Sequence, residues 1–222
     1  MIKLYLKQAW TMIKQHRLFT GIYVVGTGLS IALVMTLFII FYVKFAPIYP
    51  EYNRNRMLTV TKMKSYPKDN DKSWNCSAVS YDVVKMLQDL PHLEAIGATA
   101  SNYRENYVEV PDNNEPISIT PLYTDAGWKV FTFRFLHGKP FTQADIDAKR
   151  REVVLPVSVA RKMFATDDVV GRRFNMDAQE YRICGVVEDV SAATPSSVGD
   201  MWLPITLNSW VTSDATGKLV YI

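Results

Sequence analysis

Between Leu18 and Val43 the chain runs 26 residues without a charged side chain. A bilayer core of about 30 Å takes roughly 20 helical residues at about 1.5 Å each, so the run can span with some tilt. Every other segment is therefore read relative to a membrane. The expected organisation is a basic head over residues 1–17, a transmembrane helix over 18–45 and an extracytoplasmic domain over 46–222.

The flanks orient the span. Lys3, Lys7, Lys14 and Arg17 precede it with no acidic residue, whereas Lys44, Arg54 and Arg56 follow it diluted by Glu51. Positive charge favours the cytoplasmic side, so the N-terminus is expected inside and the large domain outside. A cleaved signal peptide is the competing reading. Its apolar region would be about 7–15 residues with a small-x-small site, which Phe45-Ala46-Pro47 does not supply. In the head, Ile2, Leu6, Trp10 and Ile13 recur at helical spacing, while Lys3, Lys7, Lys14 and Gln15 fall elsewhere on the wheel. That pattern suits a helix at the inner membrane interface, the alternative being an inward continuation of the span.

Composition changes at the membrane boundary. All 11 prolines fall at Pro47 or later. Five of the 25 Lys and Arg lie at or before Lys44, leaving 20 against all 22 Asp and Glu, a balance of −2 for the outer domain. A folded domain without a basic excess is not built for nucleic acid, so none is expected as a partner. Cys76 and Cys184 stand far apart in sequence, and an oxidising compartment would permit a bridge as well as two packed thiols. Within the span, Gly26 to Ser30 and Gly28 to Ala32 are small-xxx-small pairs, the spacing that lets membrane helices approach closely.

Beyond the span the reading is mixed α and β, an α+β fold. Strands are expected at Met57–Thr61, Ala95–Ala100, Tyr107–Val110, Ile117–Tyr123, Glu152–Leu155, Arg172–Met176, Tyr181–Asp189 and Met201–Pro204. Ser80 is expected to cap a helix ending near Leu90, Ser158 one ending near Phe164, and Asp125 opens a short helix through Val130. Tyr66–Asn75 reads as a polar loop. No G-x-S-x-G, H-E-x-x-H, C-x-x-C or phosphate-binding loop occurs. Ser65-Tyr66-Pro67-Lys68 matches S-x-x-K in letters only, and neither Gly138-Lys139 nor Gly217-Lys218 has the flanking residues of a phosphate loop. His16, His92 and His137 lack a second ligand at metal spacing. The acid pairs Asp167-Asp168 and Glu188-Asp189 suit loops or rims. Neither catalysis, a metal nor a cofactor is expected.

Three blocks remain distinctive. Phe133-Arg134-Phe135-Leu136-His137-Gly138-Lys139-Pro140-Phe141 continues to Asp145, with Gly138 permitting a reversal, Pro140 fixing the exit and Thr142 offering a cap. Val153-Val154-Leu155 leads to Ala160-Arg161-Lys162-Met163-Phe164 and then Val170-Gly171. Tyr181 to Val190 contains Cys184-Gly185-Val186-Val187-Glu188-Asp189-Val190, with Gly185 at a bulge or close approach. In this order behind one span, the blocks resemble the MacB-like periplasmic core domain of FtsX-type ABC-transporter permeases. Lys139 stands where the family usually has Arg, and Val170-Gly171 where it has Ile-Gly. Such permeases carry three further membrane helices, so the chain looks like an N-terminal part that stops within or just after the outer domain. The resemblance implies a bacterial inner-membrane protein with a separate ATP-binding ABC subunit and further permease helices in a dimeric assembly, engaged in transport or mechanical work outside the membrane. A single-span sensor ectodomain is the alternative, and a membrane-tethered hydrolase a weaker one.

Overall fold

The computed structural model describes residues 2–60, 63–65, 74–76, 79–88, 90–101, 106–110, 113–125, 127–212 and 219–220, in two compact units, Met1–Ala46 and Pro47–Ile222. The first unit holds α1 (Ile2–Gln15) and α2 (Arg17–Phe45). They are separate helices because His16 leaves helical geometry, at φ −123° and ψ 55°. At about 1.5 Å per residue, α2 reaches roughly 44 Å. It is the one helix among the described residues long and apolar enough to cross a membrane, by length and composition. Its hydroxyls find acceptors one turn back, Ser30 Oγ donating to Gly26 O at 2.8 Å and Thr36 Oγ1 to Ala32 O at 2.8 Å. Polar side chains thus stay satisfied in an apolar surround.

The second unit contains, in chain order, β1 (Met63–Ser65), β2 (Trp74–Cys76), β3 (Val79–Ser80), α3 (Tyr81–Leu87), β4 (Thr99–Ser101), β5 (Asn106–Val110) and β6 (Asn113–Ile119). There follow β7 (Pro121–Thr124), α4 (Gly127–Val130), β8 (Phe135–Gly138), α5 (Gln143–Asp147), β9 (Glu152–Pro156) and α6 (Val157–Phe164). Last come β10 (Arg173–Met176), β11 (Gln179–Val187), β12 (Met201–Pro204), α7 (Ser209–Thr212) and β13 (Leu219–Val220). Nine strands form one mixed sheet in the order β4-β7-β12-β9-β11-β10-β5-β6, with β8 also on β11. β9 and β11 run parallel, as do β7 and β12.

Side-chain patterns assign the places. β9 and β12 read as continuous apolar runs, and Val153, Val154, Leu155, Met201 and Leu203 are fully buried, which marks the centre of a sheet covered on both faces. β10 and β5 alternate buried and exposed residues and leave one face to water. α6 buries Val157, Ala160 and Met163 on the core side. Trp128 of α4 makes edge-on contacts with Phe133, Phe135 and Phe141 at ring distances of 5.1, 5.5 and 5.2 Å, and the alternation of Phe133 and Phe135 puts both rings on it.

Several elements differ from the sequence reading. Residues 57–60 form no strand, and Leu58 is 84% exposed: a β-rich run without a sheet edge to pair with stays irregular. Thr61 lies outside the described residues. So do residues 66–73 of the expected polar loop, whereas Trp74 and Asn75 belong to a strand. The expected strand Ile117–Tyr123 is two strands serving opposite ends of the sheet. They divide at Thr120, whose N–H turns to Asp200 Oδ2 at 2.9 Å, and Pro121 has no N–H to extend the ladder. The Ala95–Ala100 strand is only Thr99–Ser101. Ser158 does not cap its helix, because Pro156 takes the entry position. The carboxylate of Asp189 caps it instead, accepting from Ser158 N–H at 2.8 Å.

Candidate coupling site

Two constructions in the outer unit stand out, and the first explains the glycines. β11 changes partner midway along one edge, pairing with β10 up to Arg182 and with β8 from Gly185. At that handover the structure brings Gly138, Gly171 and Gly185 together. Gly138 and Gly185 are cross-strand partners. A methyl group on Gly138 would lie 2.2 Å from Cys184 O and 2.9 Å from Gly185 Cα, and Gly138 has φ +71°. One on Gly185 would meet Lys139 O at 2.8 Å. Gly171, at φ +85°, closes a turn whose N–H donates to Ile183 O at 2.8 Å. At Gly138 and Gly185 backbone contact this close leaves no room for a side chain, whereas Gly171 is set by its positive φ alone, with open space around it. Pro140 then leads into α5, where Thr142 and Asp145 form a reciprocal capping box and Arg150 binds Asp145 at 3.0 Å.

The Cys184 thiol sits in the same place, donating to Val153 O at 3.3 Å. Burial, with Glu152 nearby, pushes its pKa up to about 12, so it is a packed, inert thiol. Cys184 is free, and the Cys76 side chain lies outside what is described.

The second construction anchors the segment after the span. Thr132 N–H donates to Pro50 O at 3.0 Å, and the Tyr49 hydroxyl accepts from Arg134 N–H at 3.0 Å. The Arg134 guanidinium also lies over the Tyr49 ring and pairs with Glu188 at 2.6 Å. Burial raises the Tyr49 phenol above its ordinary value. Beside it, Glu51 is only 4% exposed. Its carboxylate accepts from Arg54 Nε at 2.8 Å and from Ser197 Oγ at 2.8 Å, and Arg54 donates onward to Ala193 O at 2.6 Å. A carboxylate so far from water is tolerated only with such partners. Residues 49–54 are thereby fastened to the 191–198 loop and to the loop before β8. Sequence reasoning treated Glu51 and Arg54 as flanking charges alone. The available signal was their i, i+3 spacing, which lets acid and base meet within one turn.

Gly26, Gly28, Ser30 and Ala32 lie elsewhere, on α2, where, apart from the helix's own nearby backbone, no atom of the described residues comes within 4 Å of the place a Cβ would take on Gly26 or Gly28. Asp167 accepts from Arg161 at 2.6 Å with His137 at 4.0 Å, and all three are substantially exposed. Ser65 is in β1, while Pro67, Lys68 and the Gly217-Lys218 pair lie outside the described residues.

Comparison with known proteins agrees with this architecture. The periplasmic region of MacB from Actinobacillus actinomycetemcomitans superposes with a TM-score of 0.55 at 16% identity, covering 73% of this chain and 72% of that one. The extracellular domain of the noncanonic ABC-type transporter YknZ from Gram-positive bacteria gives 0.53 at 16% identity, covering 74% and 82%. At these identities the likeness is one of fold. Comparison with curated protein sequences returns no match. The family model of the MacB-like periplasmic core domain matches residues 20–220, and the chain belongs to that family, carrying the MacB-like periplasmic domain of an ABC-transporter-type permease.

Proposed function

We infer that this chain is the N-terminal part of a permease subunit that carries motion from a separate ATPase, through its span, to a substrate or partner outside the membrane. The observation that carries the reading is the fastening of residues 49–54 to the outer domain through the buried Glu51–Arg54 pair, Ser197 and Tyr49. A span joined by a flexible linker would dissipate movement, whereas one entering a bonded segment passes displacement on. The head stays in the cytoplasm, as its four basic residues against no acid favour. The open small-residue face of α2 takes further permease helices, in a dimeric assembly.

On this reading the chain has no chemistry of its own. No phosphate-binding loop is present in the sequence, and among the described residues no group of three or more His, Cys, Asp or Glu could hold a metal. Two measurements test the proposal. Alkaline phosphatase fused after Ile222 should be active, and an inactive fusion with an active cytoplasmic reporter would reverse the topology. Purified chain should hydrolyse ATP only when assembled with a nucleotide-binding subunit. Hydrolysis by the chain alone, abolished by a point substitution in it, would refute the division of labour.

A further inference from the structure

A small cavity lies where β7, α4 and the 191–200 loop meet. Its walls are aromatic, with Trp128, Phe131, Phe133 and Trp202, and Ser196 and Ser197 of the loop line it too. None of its lining residues carries a charge. Three polar atoms of residues that line it, Thr124 Oγ1 and the indole Nε1 of Trp128 and Trp202, are buried without a hydrogen-bond partner among the described residues. Trp202 is 1% exposed and Thr124 2%. An indole N–H can only donate, and a buried donor left unpaired costs about 1–3 kcal/mol. The residues that line the cavity therefore carry two donors and a hydroxyl still without a partner, among rings. As it stands the space is that of about one water molecule.

The loop over this cavity is held by the segment that follows the span. Ser197, which lines the cavity, is the residue that donates to Glu51, and Arg54 holds Ala193 of the same loop. We propose that the cavity is a binding site for a neutral, mainly aromatic molecule bearing a hydrogen-bond acceptor such as a carbonyl, and that the 191–200 loop, released from Glu51 and Arg54, opens it. The acceptor oxygen takes the indole N–H groups of Trp128 and Trp202, and the ligand's rings pack edge to face with the aromatic wall. A neutral ligand suits a lining without charge. The opening step rests on the coupling reading above, whereas the chemistry of the site does not.

Benzophenone has this chemistry and crosslinks to neighbouring C–H bonds under near-ultraviolet light. The full chain in lipid nanodiscs, without any ATPase, is irradiated with it, and the labelled peptides are mapped by mass spectrometry. Label should fall on peptides containing Trp128 or Trp202. It should rise about fivefold in Arg54→Ala and Ser197→Ala, the equivalent of one lost side-chain hydrogen bond holding the loop. Gly127→Ala, whose new methyl would lie 2.7 Å from Thr124 Oγ1, should reduce it. Acetophenone should compete, while cumene, of similar shape without the oxygen, should not. Ser197→Ala removes a single hydroxyl and keeps the test valid if Arg54→Ala fails to fold. Label absent from these peptides, equal competition by cumene, or no increase in either loop variant would overturn the proposal. None of those results would touch ATP coupling, since no ATPase is present.

Discussion

Arg54→Ala is the perturbation whose effect follows most directly from the structure. Glu51 is 4% exposed and the Arg54 side chain 12%, so the pair is shielded from water and salt. Removing one partner of such a pair costs roughly 3–5 kcal/mol, because the other charge stays buried without its counter-ion. Glu51 would keep the Ser197 hydroxyl, which places the expected loss near 3 kcal/mol. With a urea dependence of about 2 kcal/mol per molar, the midpoint should fall by about 1.5 M. The assay is urea unfolding of the purified chain in detergent, followed by tryptophan fluorescence. The cause is the stranded charge, so adding Glu51→Gln to Arg54→Ala should recover part of the loss, since a neutral amide still accepts from Ser197. A midpoint within about 0.3 M of the parent, or a double variant less stable than the single one, would refute the reasoning.

Three further outcomes are expected. Gly138→Ala should lose roughly 3 kcal/mol, because its methyl meets backbone atoms that cannot yield, while Gly171→Ala, with the same sign of φ but open space, should lose only about 1 kcal/mol, both read by the same unfolding assay. In a Cys76→Ser background, Cys184 should resist a disulfide reagent at pH 8 and react once denaturant is added, as a buried thiol with its pKa pushed up to about 12 requires; reaction at the rate of a free thiol would contradict the burial. The Asp145 carboxyl is held below its ordinary value, first by the Thr142 hydroxyl and N–H and then by Arg150, so its contribution is full above an unfolded value near 3.9 and is lost as pH falls toward the lower folded one. Asp145→Asn should thus lower stability slightly at neutral pH, solvent screening the carboxylate, and the gap should narrow in acid; a gap that widens below pH 4 would reverse the assignment.

What the sequence made legible was local and periodic. The uninterrupted apolar run, the buried strands at Glu152–Pro156 and Met201–Pro204, and the Thr142 cap each follow from a few adjacent residues. Turn chemistry singled out Gly138, Gly171 and Gly185 separately, but only the sheet reveals that they meet, because β8 reaches β11 from across the chain. Met57 to Val60 misled because strand propensity says nothing about whether an edge is available. Ser158 misled because the true cap, Asp189, is supplied from the end of another strand. The Glu51–Arg54–Ser197 anchor was hidden for a similar reason. Its acid and base are near neighbours, but their burial depends on a loop more than a hundred residues later.

The claim that the span and outer domain move as a consequence of ATP hydrolysis elsewhere has one most direct measurement. Hydrogen–deuterium exchange is compared between ATP-vanadate and ADP states of the permease assembled with its nucleotide-binding subunit. The account predicts that protection of residues 48–56 and 191–200 changes together with nucleotide, and that Arg54→Ala keeps the change in the first segment while losing it in the second. Exchange in the outer domain that is the same in both nucleotide states, with hydrolysis intact, would contradict it.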